Sequence, residues 1–324
     1  LRVLDPACGS GHFLLYAFDL LLTIYEEAWA DPESPKSEAT GKTLVGDYPS
    51  LDTLKKAVPG LVLAHNLHGV DIDPRCAQIA QLALWMRAQK AYRDFAISRG
   101  DRPQIRRSNI VVAEPLVADE QIAKEFVTKL GDAELGRVFM SLVEALSLAA
   151  DLGLLLRVER LVKTPAKKQG ELFAPPEERI RAALDRFVRE ETSATSARKR
   201  LFAEDVTHGV GLLTVAEKKF DVVLMNPPFG AGSTRAKKDF DKAYPRTKND
   251  VYAAFVERGI EVLSPRGRVG AITSRTGFFL SSFQKWREEI LLKQAPPVVF
   301  ADLGYGVLDS AMVETAAYCL EKAS

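Results

Sequence analysis

Residues 220 to 230 read FDVVLMNPPFG, an apolar run that stops at Asn226-Pro227-Pro228-Phe229. These four can continue neither strand nor helix, because proline has a fixed φ and no N–H to donate. They suit one kind of chemistry. The exocyclic amino group of adenine or cytosine is a poor nucleophile, since its lone pair is delocalised into the ring. Two acceptors gripping its hydrogens favour a pyramidal nitrogen with the lone pair exposed. Asn226 supplies a side-chain carbonyl, and proline at 227 guarantees a backbone C=O with no competing N–H. Pro228 stiffens the arrangement, and Phe229 offers a face for stacking a flat ring. An activated methyl donor held opposite then needs only in-line geometry, and orientation of this kind is worth roughly 7–11 kcal/mol. Neither a nucleophilic Cys nor a general-base His is required.

A second group of residues, DPACGSGHF at 5 to 13, places Gly9 and Gly11 in a turn between a first strand and the helix it feeds. Glycine lets the backbone approach a ligand there, and a helix N-terminus favours a carboxylate or another anion. A lone G-x-G is as often a bare tight turn, but two acids flank this one. Asp5 precedes the turn and would repel a phosphate; it suits an amine-bearing ligand, such as the ammonium of a methionine moiety. Asp71 ends a second strand, where ribose hydroxyls are usually read. Position 14 is Leu, so the third glycine of the dinucleotide fingerprint is missing, which argues against a nicotinamide cofactor. Glu114, in Ala113-Glu114-Pro115-Leu116, ends a third strand; it either accepts from an adenine amino group or faces solvent.

The elements that must position these residues alternate. Strands are expected at LRVLD, LHGVDID and NIVVA, with helices over about His12 to Trp29 and Pro74 to Ile97 between them. Residues 30 to 60 read as a loop with one short helix. From Val117 to Glu217 only helical periodicity appears, and alternation resumes with FDVVLM, RVGAIT, VVFADLG and TAAYCLE. The pattern predicts an α/β fold with a doubly wound, Rossmann-like mixed sheet. Residues 1–116 and 218–324 would form its two halves, with a helical insertion at 117–217.

Composition sets the outer bounds. The 324 residues are 47% hydrophobic and 27% charged, with a net charge of +1, so composition alone says nothing for nucleic acid. Cys8, Cys76 and Cys319 and the four histidines fall in no metal-ligand spacing and suit a reducing, cytoplasmic setting. The apolar runs read as far short of the roughly 20 residues that span a bilayer. The chain opens on a strand without Met or leader, and is expected to be part of something longer.

DPACGSGHFL, GVDIDP and NPPFG, in that order, resemble the motifs of amino-group DNA methyltransferases of the gamma arrangement. The resemblance continues through VYAAFVERGIEVLSPRGRVGAIT to the end of the chain. The tail DLGYGVLDSAMVETA and the spacing are most similar to the large adenine methyltransferases of BREX phage-defence systems, followed by fused type IIG restriction–modification enzymes. The resemblance implies a class I S-adenosylmethionine-dependent fold and N6 methylation of a flipped adenine in double-stranded DNA. It further implies a host-protective role, other defence-system proteins as partners, no metal, and a target-recognition domain outside this chain. On the same ground Asp5, Ala7, Cys8, Gly9 and Gly11 line the cofactor site. Asp71 holds the ribose hydroxyls, Ile72 packs on the cofactor's adenine, Glu114 bonds its amino group and Phe255 packs nearby. Asn226 and Pro227 grip the target amine, with Pro228 behind them, and Phe229 stacks on the flipped base.

Three departures from the family pattern stand out. Glu114 replaces the usual Asp, one methylene shorter. Leu308 stands where a second base-stacking aromatic is usual, with Tyr305 nearby as a substitute. The Thr-Pro segment that normally precedes the first motif is not in this chain. Flipping a base costs a few kcal/mol and one aromatic stack returns roughly 1–3 kcal/mol. Tyr305 or contacts from a recognition domain are therefore expected to assist Phe229. Beyond the motif, GAGSTRAKKDFDKAYPRTKND carries six basic residues. Arg235, Lys237 and Lys238 are the candidate phosphate contacts. A release-factor glutamine methyltransferase, an RNA adenine methyltransferase and a catalytically silent nucleic-acid-binding module remain open as alternatives.

Overall fold

Short apolar strands covered by helices on both faces favour parallel pairing, and the chain follows that logic. The computed structural model describes residues 1–37, 40–105, 108–115, 120–161, 179–180, 182–183, 186, 195–307 and 313–323. Its seven-stranded sheet has the order β3-β2-β1-β4-β5-β7-β6. β1 (Val3–Asp5), β2 (Leu67–Asp71), β3 (Asn109–Val112), β4 (Phe220–Met225) and β5 (Leu263–Ser274) run parallel. β7 (Thr315–Glu321) inserts antiparallel between β5 and β6 (Pro297–Gly304), so the sheet is mixed, as expected. The strand order reverses between β1 and β4. Ligands of open α/β sheets lie beyond the strands' carboxyl ends at such a switch point. Leu4 pairs with His68 on one side and Val223 on the other, so the chain segments after Asp5, Asp71 and Met225 all emerge there.

One face of the first half is covered by two helices. The His12–Ala30 helix buries Leu14, Ala17, Phe18 and Leu21, one apolar stripe at helical spacing. The Pro74–Asp94 helix starts with Asp73 as its cap and proline at its first position, and buries Ala77, Ala80, Leu84, Ala88 and Ala91. The region expected to be a loop with one short helix holds the helix Leu51–Leu61, begun by a Ser50–Thr53 capping box. Pro59 and Gly60 suggest a break, yet Leu54, Val58 and Val62 form a buried stripe that carries the helix through into a wide turn over Val62–Asn66.

The larger core lies on the other face. It joins β4, β5 and β7 to the Val251–Val262 helix and to the described helices of 117–217. Phe126, Phe139 and Phe202 meet edge to face, with centroids 5.0 to 6.0 Å apart. The Thr195–Glu217 helix lies along β3, with Gly211 against the Val111 side chain. Residues 133–156 are long and apolar enough to cross a membrane, which the expectation from apolar run lengths missed. Over half of that stretch is buried, with Leu135, Val138, Phe139, Leu142 and Leu146 inside the larger core.

Candidate active site

The first turn is built almost wholly from backbone. Asp5 is 2% exposed, and its Oδ1 accepts from the Ala7 N–H at 3.2 Å. Burial pushes its carboxyl up to about 7; the Ala7 hydrogen bond opposes this shift and the nearby Asp71 charge adds to it. The Cys8 N–H donates to the Val70 carbonyl at 3.0 Å, tying the turn to β2. Burial also pushes the Cys8 thiol up, which keeps it unreactive. Gly9 and Gly11 have φ of 52° and 86°, the left-handed region where glycine is preferred. Open space lies beside Gly9, where a Cβ would meet nothing within 4 Å. Gly11 caps the His12 helix without a side-chain bond, and no acid occupies its first turn. The helix N-terminus is thus left to attract an anion while buried Asp5 attracts a cation. Together these groups have the chemistry to receive a zwitterion.

Asp71 shapes this turn from the neighbouring strand. Its Oδ2 accepts from the Gly9 N–H at 2.7 Å and its Oδ1 from the Asp73 N–H at 2.9 Å. Half-exposed, it keeps lone pairs for a ligand hydroxyl. Ile72 is 49% exposed and presents an apolar surface next to it. Gly153 backs Ile72 so closely that a Cβ there would lie 3.2 Å from Ile72 Cγ2. Glu114 is half-buried beside His208 of the Thr195–Glu217 helix, with Nδ1 3.5 Å from Oε2. That Nδ1 is buried and makes no hydrogen bond, an orphan beside the expected adenine end of the site. Ala7 packs against the larger core, and Phe255 is buried within it. Neither Gly153 nor His208 was legible in the sequence: one needs its backbone angle, the other its helix placed against β3.

Across the switch point, β4 runs into the second turn. Met225 and Pro227 are buried, Asn226 and Pro228 are exposed, and Phe229 is half-buried. Asn226 is thus exposed directly after the carboxyl end of β4. Gly230 has φ of 102°, and its N–H donates to Asp250 Oδ1 at 2.9 Å. The Gly230 carbonyl accepts from the Val251 N–H at 2.9 Å. Asp250 also caps the Val251–Val262 helix, accepting from the Tyr252 N–H at 3.2 Å, and burial pushes its carboxyl up. The edge of Phe229 meets Tyr252, 6.1 Å between centroids, and Tyr252 stacks on Phe283 at 5.7 Å. Asp250 was absent from the candidates, although Asp before a helical stripe is a readable cap signal.

The basic segment divides. Ser233 donates to Asp151 at 2.6 Å, and Arg235 pairs with the same Asp151 at 3.8 Å and donates to the Ser147 carbonyl at 3.3 Å. Lys237 pairs with Asp241 at 3.0 Å along a short helix, and Lys238 is exposed. Arg246 instead turns inward to Glu257 at 2.6 Å, whose other oxygen accepts from Thr247 at 2.6 Å. Glu257, Arg258 and Arg157 are buried; Arg258 pairs with Glu159 at 2.9 Å, and the Arg157 guanidinium lies 3.9 Å over the Tyr244 ring. Removing one member of such a network leaves an uncompensated buried charge, which costs about 3–5 kcal/mol. Tyr305 is 72% exposed just beyond β6, and Leu308 lies outside the described residues. Among the described residues no cluster of His, Cys, Asp or Glu could hold a metal, and the three cysteines are free.

Comparison with known proteins places the chain among methyltransferases. Over 99% of its length the chain is 28% identical to the adenine-specific methyltransferase BrxX of Escherichia coli O9:H4 (strain HS), and covers 25% of that protein. It is 24% identical over 98% of its length to the adenine-specific methyltransferase PglX of Lacticaseibacillus casei (strain Zhang), covering 23% of it. A putative type II restriction enzyme and methyltransferase of Methanocaldococcus jannaschii is 35% identical over 101 residues, 31% of this chain and 7% of that one. The chain thus spans about a quarter of the length of its first two relatives. The MmeI DNA-methyltransferase domain matches residues 1–126, from the glycine turn through Glu114. The Eco57I restriction-modification methylase model matches residues 65–301, from β2 through the Asn-Pro-Pro-Phe turn into β6, and the chain belongs to that family.

Proposed function

We propose that this chain is the catalytic core of a DNA methyltransferase that modifies the N6 amino group of adenine, using S-adenosylmethionine, within a BREX-type or restriction–modification defence system. The observation that carries this reading is the juxtaposition at the switch point. An exposed Asn226 on a proline-stiffened turn emerges beside a turn that offers a buried acid and an uncapped helix N-terminus. Adenine is favoured over cytosine because both relatives that align along nearly the whole chain carry adenine-specific names.

The residues fit that cofactor. Asp5 would hold its ammonium, and the uncapped amides at the start of the following helix its carboxylate, with Ala7, Cys8, Gly9 and Gly11 shaping the turn that lines it. Asp71 would hold the ribose hydroxyls, Ile72 cover the adenine face, Glu114 accept from the adenine amino group, and Phe255 support the pocket from behind. The cofactor, when bound, supplies an electrophilic methyl group on a sulfonium. The chain's own task is to hold the target. Asn226 and Pro227 accept the two amine hydrogens and hold the nitrogen lone pair towards the first turn. Pro228 limits the loop's freedom, and Phe229 stacks on the flipped base. Arg235, Lys237, Lys238 and Tyr305, with Leu308, would meet the duplex around it.

The test is nucleoside mass spectrometry on DNA from a methylation-deficient bacterial host expressing the full-length gene or its Asn226→Ala form. N6-methyladenine only with the wild type is expected. N4-methylcytosine would keep the mechanism and overturn the base. Neither product, despite S-adenosylmethionine binding by the purified protein, would overturn the DNA reading in favour of RNA or a protein amide.

A further inference from the structure

Methyl transfer by orientation alone requires the target acceptors to be fixed, yet the Asn226 side chain makes no hydrogen bond of its own to the described residues. What fixes the turn lies more than twenty residues downstream in sequence. Residues 229–230 are gripped by 250–252 at three points. Gly230 N–H donates to Asp250, Gly230 C=O accepts from Val251 N–H, and the Phe229 ring leans on Tyr252. Both hydrogen bonds to the Asp250 side chain fall on one oxygen, Oδ1. The bond from Tyr252 N–H suffices to cap the helix. The bond from Gly230, twenty residues earlier, adds nothing to the helix and acts on the turn.

We propose that Asp250 is a positioning residue for methyl transfer: through Gly230 it fastens the Asn226–Phe229 turn to the start of the Val251–Val262 helix and so sets where the target amine is held. This rests on the reading that Asn226 and Phe229 hold the target base. Because a single carbonyl-type oxygen takes both bonds, asparagine can replace Asp250 and alanine cannot. The charge itself is not needed. Gly230 supplies an independent handle. A Cβ there would meet nothing within 4 Å, so Gly230→Ala clashes with no neighbour and leaves the helix cap intact. It opposes only the φ of 102° that presents the N–H to Asp250.

The experiment uses the full-length protein carrying Asp250→Ala, Asp250→Asn or Gly230→Ala. It reads kcat, KM for DNA, S-adenosylmethionine affinity, Tm, and hydrogen exchange in the peptide containing Phe229 and Gly230. Asp250→Ala and Gly230→Ala should lower kcat by about 10- to 100-fold, the scale of an ångström-level misplacement. Cofactor affinity should stay within about twofold and turn exchange should rise. Asp250→Asn should keep kcat within about threefold of wild type. A purely structural cap would lower Tm in Asp250→Ala but leave kcat of the folded fraction unchanged, and Gly230→Ala would be silent; either result overturns the proposal. An Asp250→Asn variant as poor as Asp250→Ala overturns it as well, because charge would then be the active property. If the wild type transfers nothing to DNA while exchange still rises in Asp250→Ala, the clamp stands and the assignment of the target fails instead.

Discussion

The two turns at the switch point are built to the same plan and differ in one respect. In each, a glycine with positive φ (Gly9 or Gly230) donates its N–H to a carboxylate from elsewhere in the chain, Asp71 or Asp250. Each carboxylate also accepts a second backbone N–H nearby, from Asp73 or Tyr252. Asp71, however, spreads its bonds over both oxygens, one to each, so it can shape its turn and still offer lone pairs to a ligand. Asp250 concentrates its bonds on one oxygen, and burial raises its pKa. The difference teaches how the distribution of an acid's hydrogen bonds assigns its role. Loss of Asp71 should be felt in binding and loss of Asp250 in turnover.

The sharpest way to break that comparison is to remove the chemistry from one side. Asn226→Ala leaves a bound amine without its acceptor, a cost of about 1–3 kcal/mol before any transition-state loss. Transfer should fall below about a tenth of wild type, while calorimetry finds cofactor affinity nearly unchanged; more activity than that would remove Asn226 from the mechanism. Asp71→Ala is the mirror experiment. Losing hydrogen bonds to a charged group costs about 1.5–3 kcal/mol, so S-adenosylmethionine should bind about 10- to 150-fold more weakly. An unchanged affinity would mean that Asp71 only holds Gly9.

Proton linkage probes the first turn from within. The folded chain keeps Asp5 protonated up to a pH of about 7, against an ordinary value of 3.8. Unfolding between these values releases a proton. The stabilisation is therefore fully present below about pH 4 and lost as pH rises to about 7, with a slope of at most about 1.4 kcal/mol per pH unit. Thermal melts without cofactor should show that slope, and Asp5→Asn should flatten it. A parallel pair of curves would show that Asp5 is already ionised in the fold. The smallest effect is expected on the exposed basic segment. Reversing Lys237 and Lys238 to Glu should weaken DNA binding several-fold at all sequences and reduce the salt slope by up to about two. Fluorescence anisotropy at several salt concentrations would detect it, and an unaltered slope would remove both from the interface.

What could be read from the sequence follows from what each residue needs. β1, β2 and β4 are legible because a buried parallel strand is a short apolar run, and the two turns because only Gly and Pro allow such an exit. One short helix was legible within 30–60, but its extent over Leu51–Leu61 was obscured because Pro59 and Gly60 outweigh a stripe of three apolar residues until tertiary burial is known. Arg246 counted as one more surface charge, since nothing in a local pattern reveals that buried Glu257 will face it. His208 belongs to the same class, as does the turn contact of Asp250, whose helix cap alone is readable locally. Their partners, Glu114 and Gly230, lie 94 and 20 residues away, beyond any local pattern.

The segment around Gly153 touches both halves of the proposed chemistry. Gly153 lies against Ile72, on the proposed cofactor side, while Asp151 two residues earlier accepts from Ser233 and pairs with Arg235, a proposed DNA contact. A displacement of Ile72 large enough to move Gly153 therefore pulls on the Asp151 contacts. Where two ligands bias one shared element, their affinities are coupled reciprocally: whatever factor the first changes for the second, the second changes for the first. Cofactor and DNA would then not be independent passengers. Each would report on the other's arrival, without an interface of their own.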